Sequence, residues 1–437
     1  MRGEQPSRAS VPDVAEALRP APFHDQFPAA RAVGERGDET TVGRLVEIMV
    51  TDPRRAAGAA VALDVLDARG YPVSPDLLFD ALARIRPGQW RDTYDTINAP
   101  SLSWQKRVRE LTPAEVSSTR SLPVSEVVFA KIAQLLRDHA EPRHVPALVQ
   151  LLAFTAESPS DNYSRDAART HEARVRDVGY QVLPFVDGAA AVDVLADELR
   201  RRPDVDKVRR ALCKAVHPHA VDVLLEFLAE PPAGTGDANQ VRSARGDFAA
   251  ALGRHRDPRA LEPLLALFDS GAGGQGLAEF GGPEVVAAMI DRLEAPGGTR
   301  ALGAIAVLGK VGDSAAVGPL VRFLDANAWT GPAIKPAVEA LGRVGDAEAV
   351  QALCAKLRPV DHENAELMAK IAEALRQIGH PGALPALRRI DPGPLGQWDL
   401  AKAKDYSYDP EGEAKYWYLK RCDDIHQAIV ALESAAR

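Results

Sequence analysis

Apolar residues in this chain fall at helical spacing in pairs of short blocks, and a polar turn breaks each pair. The pairs repeat. ALGRHRDPRALEPLLALF (251–268), VLGKVGDSAAVGPLVRFL (307–324), ALGRVGDAEAVQALCAKL (340–357) and ALRQIGHPGALPALRRI (374–390) follow one template, A-L-G-x-x-G-D-x-x-A-V-x-x-L-x-x-x-L. Weaker copies begin at Ala32, Leu135, Val182 and Ala211. The equivalent leucines Leu308, Leu341 and Leu375 are spaced 33 and 34 residues apart, a period that marks one supersecondary unit used many times.

Each copy predicts helix, tight turn, helix. Ile305, Leu308 and Val311 form the stripe of a first helix, and Val350, Leu353 and Leu357 that of a second. Between them glycine permits a left-handed C-cap and Asp accepts N–H bonds at the next N-cap. Asp257, Asp313 and Asp346 are the clearest caps, and Pro258 suits the first helical position. A single copy has nothing to cover its stripe, whereas stacked copies share a continuous core.

At 46% apolar over 437 residues the chain has enough material for such a core and is not a disordered protein. A net charge of −8 excludes a surface given over wholly to nucleic acid. Cys213, Cys354 and Cys422 lie far apart with no CxxC pair, so they build neither a disulfide framework nor a zinc module. A reducing cytoplasm is the expected compartment. No window approaches 18 apolar residues and the N-terminus has no signal-like run, so no membrane partner is expected. The 41 Arg against 12 Lys point to a GC-rich bacterial source.

The repeated segments resemble the HEAT-repeat family, specifically the short bacterial, phycobilisome-lyase-like HEAT repeats. The resemblance covers residues 24–390, is strongest from 204 to 390, and fades between 87 and 122. It implies an all-α protein: a right-handed α-solenoid, or superhelix, of about eight HEAT-like helical hairpins with second helices lining the concave face. A C-terminal capping helix closes it, because a terminal unit must cover the exposed core end.

Departures from the period divide the chain further. Residues 1–23 form an N-terminal tail, 24–122 irregular HEAT-like units and 123–268 central units. Leu252 and Leu308 are 56 residues apart, so 269–296 is expected to be a Gly-rich insertion, DSGAGGQGLAEFGG, followed by an added helix. Regular units occupy 297–390, and 391–437 is an aromatic-rich linker with the capping helix. Loops are expected at 155–167 and 231–240. Residues 88–108 are not repeat-like, although Thr112, Pro113, Ala114 and Glu115 make a capping box that restarts helix.

Catalytic signals are sparse. Gly271, Gly273 and Gly276 match a dinucleotide fingerprint formally, but a helix end rather than a strand precedes them, so a linker is expected. His171-Glu172 and His362-Glu363 are similar to the di-iron pairs of deoxyhypusine hydroxylase, a HEAT-repeat enzyme. That family uses four pairs and this chain has two, set upstream of the family's positions, so they are expected at helix starts, where Glu suits the dipole. His217-Pro218-His219 reads as a turn. GxSxG, P-loop and HExxH motifs are absent, and neither a metal nor another cofactor is expected. An enzymatic pocket, as in a lyase, would be sought at Trp90, Asp92, Tyr94, Asp95 and Trp104.

HEAT-like alkylpurine DNA glycosylases suggest a nucleic-acid alternative. Its residues here would be Arg200, Arg201, Arg202, Lys207, Arg209, Arg210 and Lys214, with Arg165, Arg169 and Arg176 nearby. Yet residues 165–214 carry 9 Asp and Glu against 11 Lys and Arg, close to neutral. Lys214, Arg254, Lys310 and Arg343 share a column at first-helix C-termini, where the helix dipole alone favours cations.

The second helices carry the sharper pattern. One exposed column contains Asp193, Asp222 and Glu262, and the column four residues on contains Asp197 and Glu226. Carboxylates at i and i+4 repel slightly within a helix, so a single-sign stripe with no local partner is a candidate recognition surface. A solvated helix face is the alternative. Six of the 24 aromatics lie in the last 40 residues, and Tyr416, Trp417 and Tyr418 are consecutive. They have no common helix face, so at least one is expected to be exposed or to meet another chain. The sequence therefore predicts a non-catalytic scaffold or adaptor that binds a basic peptide or protein on its concave face.

Overall fold

The computed structural model describes residues 14–18, 23–87, 124–156, 162–203, 205–295, 300–327, 331–394 and 410–435. Among these the regular structure is helical throughout. The chain divides into two compact units, Met1–Val223 with Pro232–Gly236, and Leu224–Pro231 with Asp237–Arg437.

The first unit contains α1 (Val14–Ala17), α2 (Phe23–Arg36), α3 (Glu39–Thr51), α4 (Ala56–Ala68), α5 (Pro75–Arg84), α6 (Val124–His139), α7 (Val145–Leu152), α8 (Asn162–Val182), α9 (Ala189–Arg201) and α10 (Asp206–Leu212). The unit boundary falls inside α11 (His219–Ala229). Each first helix packs on the first helix of the next hairpin, α2 on α4, α4 on α6, α6 on α8 and α8 on α10. The second helices run alongside, α3 by α5 and α7 by α9.

The second unit repeats the scheme. Its helices are α12 (Ala238–His255), α13 (Leu261–Asp269), α14 (Gly274–Phe280), α15 (Gly282–Glu294), α16 (Ala301–Val311), α17 (Val317–Ala326), α18 (Ile334–Val344), α19 (Ala347–Ala355), α20 (Ala365–Ile378), α21 (Leu384–Arg388) and α22 (Pro410–Ala435). The first helices α12, α14, α16, α18, α20 and α22 pack in series, and α15, α17 and α19 form a second row. Stacking of hairpins onto their sequence neighbours is what makes the chain an α-solenoid. At the C-terminal end α22 covers α20 and α21, burying Cys422, Ile425, Ala428, Ile429 and Leu432.

The turn chemistry is local. Asp257 accepts the Arg259 amide at 2.9 Å, Asp313 that of Ala315 at 2.8 Å, and Asp346 those of Glu348 and Ala349 at 2.9 and 3.1 Å. Gly312 closes α16 at φ +74°, a left-handed C-cap open to glycine without a Cβ penalty.

Of the segment 269–296, expected as a Gly-rich insertion followed by an added helix, the added helix is α15, and the Gly-rich part holds a further short helix, α14, so that the two make a hairpin of the stack. Its α14 packs between α12 and α16, and its α15 packs on α16 and α17. Leu277 is fully buried, as are Leu252 and Leu308, so the 56-residue gap holds one short unit. The glycines that suggest a loop have a packing role. A Cβ on Gly253 would stand 2.1 Å from the Gly276 carbonyl oxygen, and one on Gly276 would stand 2.5 Å from that of Ala249. The same template position in later copies, Gly309 and Gly342, lies against the backbones of Ala340 and Ala374. The first glycine of A-L-G-x-x-G thus sets the approach of the next first helix, and only the second ends a helix. Gly253→Ala should therefore cost about 1–3 kcal/mol through forced separation of α12 and α14, read as a lowered thermal midpoint with the helical signal retained. An unchanged midpoint would show that the two helices have room to part.

Trp90, Asp92, Tyr94, Asp95, Trp104, the capping box at 112–115, Trp398, Tyr406 and Tyr408 lie outside the described residues.

Candidate functional site

In α9 the buried side chains Ala191, Val192, Leu195, Ala196 and Leu199 take the core face, which leaves Asp193 and Asp197 exposed on the other. The same division in α11 buries Ala220, Val221, Leu224 and Phe227 and exposes Asp222 and Glu226. Glu262 is exposed on α13. Asp193, Asp197 and Asp222 belong to the first unit, Glu226 and Glu262 to the second.

Stacking draws Asp193 and Asp222 to one side chain. His219, the first residue of α11, places Nε2 at 2.9 Å from Asp193 Oδ1 and Nδ1 at 3.5 Å from Asp222 Oδ2. The Asp193 hydrogen bond, followed by the charges of Asp193 and Asp222, holds the imidazole pKa above its ordinary value, with partial burial opposing. The expectation of a stripe without local partners is thus corrected. Asp193 and Asp222 share a histidine, and Asp197 pairs with Arg200 at 3.0 Å. The pattern could have revealed His219, because it lies one helical turn before Asp222 and faces the column that Asp193 occupies in the preceding hairpin.

The basic stretch is largely spent within the fold. Arg200 meets Asp197, Arg201 and Arg202 meet Glu198 at 3.6 and 3.3 Å, and Lys207 meets Asp177 at 2.6 Å. Arg209 and Arg210 both meet Asp206, at 2.7 and 3.4 Å. Glu198 also accepts the Tyr180 hydroxyl at 3.2 Å. Burial, then the Glu198 charge, pushes that phenol up to about 12. Lys214 is exposed just past α10. Cations paired in this way have already given up much of the charge that a phosphate backbone would meet.

The second unit uses its charges between hairpins. Asp269 of α13 pairs with Arg292 of α15 at 2.8 Å, Glu294 of α15 with Arg322 of α17 at 2.6 Å, and Asp325 of α17 with Lys356 past α19 at 2.7 Å. On the first helices Lys335 pairs with Glu366 at 2.5 Å, and Lys370 with Glu339. These contacts bridge successive helices and are worth ~0.2–1 kcal/mol each at the surface.

The aromatic trio divides as its spacing requires. Trp417 is 45% exposed, Tyr416 packs edge-on against it, and Arg421 lies over its ring. Tyr418 is half-buried and stacks on His362 with centroids 4.0 Å apart. His171 is corrected from a helix-start residue to the buried middle of α8, between the rings of Phe129 and Phe154. His362 is exposed in the turn before α20. Among the described residues no group of three or more His, Cys, Asp or Glu is placed to hold a metal ion, and no helix is long and apolar enough to cross a membrane.

Stacked hairpins with Asp-capped second helices define a class of protein, the helical repeat protein. The family likeness follows from comparison: residues 335–393 match the family model for HEAT repeats and 244–270 that for PBS lyase HEAT-like repeats, so these segments are HEAT repeats. HEAT repeats commonly mediate protein interactions. A search of curated proteins finds no match. Among solved structures, the crystal structure of an engineered protein aligns at 16% identity over 95% of this chain and 98% of that one, with a TM-score of 0.28.

Proposed function

We propose that this protein is a non-catalytic scaffold or adaptor whose first unit binds a basic peptide or protein segment on the face carrying Asp193, Asp197 and Asp222. The observation that carries the reading is the convergence of Asp193 and Asp222, from successive second helices, on one imidazole. Two carboxylates at this spacing suit a cation presented from outside as they suit the imidazolium, and their summed field would steer a basic segment toward the surface.

The test uses a short Arg- and Lys-rich peptide, a Glu-rich control of equal length, and the variant Asp193→Lys, Asp197→Lys, Asp222→Lys. The wild-type chain should bind the basic peptide alone, and the variant should lose at least tenfold in affinity, about 1.4 kcal/mol. Exposed substitutions usually stay within ~0.5 kcal/mol of stability each, so the helical signal should survive. Equal binding by the variant would leave these carboxylates idle. Tight, salt-sensitive binding of duplex DNA abolished by Arg201→Glu and Arg210→Glu would favour the nucleic-acid reading instead.

A further inference from the structure

The histidine that joins the two carboxylates is also placed to control them. We propose that His219 is an acid-sensitive latch on this surface: protonated, it bridges Asp193 of α9 and Asp222 of α11 and occupies the charge that a basic partner needs; neutral, it releases that charge. The inference rests on the basic-partner reading and adds its regulation.

The geometry limits what the imidazole can do in each state. An imidazolium donates from both nitrogens, and the ring sits with one nitrogen toward each carboxylate, on two different helices. A neutral ring has only one N–H, so it satisfies one carboxylate and leaves the other turned toward a lone pair. The latch therefore opens by loss of a proton and requires no movement of the helices. Its side chain is 33% exposed, and those of Asp193 and Asp222 are 60% and 51% exposed, so a cationic side chain from solvent has access to both oxygens.

The groups around the ring include carboxylates, an arginine, a lysine and one further histidine. Asp193 and Asp222 are the charges that raise the imidazole pKa. Asp197, also on α9, is engaged by Arg200. From the turn before α11, His217 faces His219 through Nδ1, which accepts the His219 amide at 3.2 Å, and Lys214 stands exposed on the same segment. Carboxylates and arginines do not change charge between pH 5.5 and 8.5 in ordinary surroundings, whereas histidines do. By linkage, a cation that displaces the imidazolium lowers the His219 pKa, and binding then releases a proton. Binding must weaken as pH falls through the raised pKa.

The experiment measures affinity for an Arg-rich peptide, whose charge is constant over this range, at pH 5.5, 6.5, 7.5 and 8.5 and fixed ionic strength. Wild-type affinity should be several-fold weaker at pH 5.5 than at 8.5, because binding displaces the ring's proton. His219→Gln should bind with little pH dependence, and His217→Gln should keep the wild-type profile. In parallel, the His219 ring should titrate above 6.5 by NMR and fall toward that value in Asp193→Asn, Asp222→Asn. Peptide binding that is flat with pH in the wild type, or equally pH-dependent in His219→Gln, overturns the latch and leaves the basic-partner reading standing. Failure to bind the peptide at any pH overturns that reading, and the latch with it.

Discussion

Asp64→Ala should destabilise the first unit by about 3–5 kcal/mol, the largest effect expected of any single substitution in the chain. Lys131 is completely buried in α6, and its ammonium lies 3.1 Å from the Asp64 carboxylate of α4 and 2.9 Å from the Gln134 amide oxygen. The neighbouring positions on the two helices are buried and apolar, Val127, Val128, Ile132 and Leu135 on α6 and Leu63 and Leu66 on α4. Withdrawing the carboxylate leaves the ammonium without its main counter-charge in a medium that solvates it poorly, which is why breaking a buried pair costs more than the pair contributes. The double variant Asp64→Leu, Lys131→Met should recover most of the loss, since it removes both charges and keeps volume. Urea unfolding is the measurement. A midpoint shift equivalent to less than about 1 kcal/mol for Asp64→Ala would mean that the ammonium finds other solvation at no cost.

The second large effect is acid lability centred on His171. Burial, reinforced by the charge of Arg174, pushes its imidazole down to about 4, against a backbone hydrogen bond to Ile85 that acts the other way. Nε2 is buried without a hydrogen-bond partner, so protonation there would place an uncompensated charge between two phenyl rings. Above pH 6.5 the ring is neutral folded and unfolded, and contributes no pH dependence. Between 6.5 and about 4 the unfolded chain binds a proton that the folded chain refuses, so stability falls as pH falls. The full interval is worth about 3–4 kcal/mol. His219 acts with the opposite sign: its raised pKa gives stability that is fully present below 6.5 and fades as pH rises through the folded value. Comparing His171→Leu with the wild type from pH 7.5 to 4.5 isolates the buried ring. The variant should lose the corresponding part of the acid-induced decline, and parallel curves would place the decline elsewhere.

Local rules made much of this protein legible from its sequence. Helix periodicity, the Asp257, Asp313 and Asp346 caps, the Gly312 stop and the repeat period depend on residues a few positions apart, and they survive in any context that keeps the chain helical. The outward direction of Asp193, Asp197, Asp222, Glu226 and Glu262 followed from the same periodicity, because the buried stripe fixes the opposite face. What stacking brings together was not legible in that way. Gly253 and Gly276 look like breakers until two backbones are seen to touch, since the need for a missing Cβ is imposed by the neighbouring helix. Lys131 and Asp64 are 67 residues apart, and neither pattern nor propensity pairs them. His219 reads as a turn residue on its own. Only the fold sets two carboxylates, one from the preceding hairpin, at its two nitrogens, because a charge takes its meaning from the groups within a few ångströms, and in a solenoid many of those come from the next repeat.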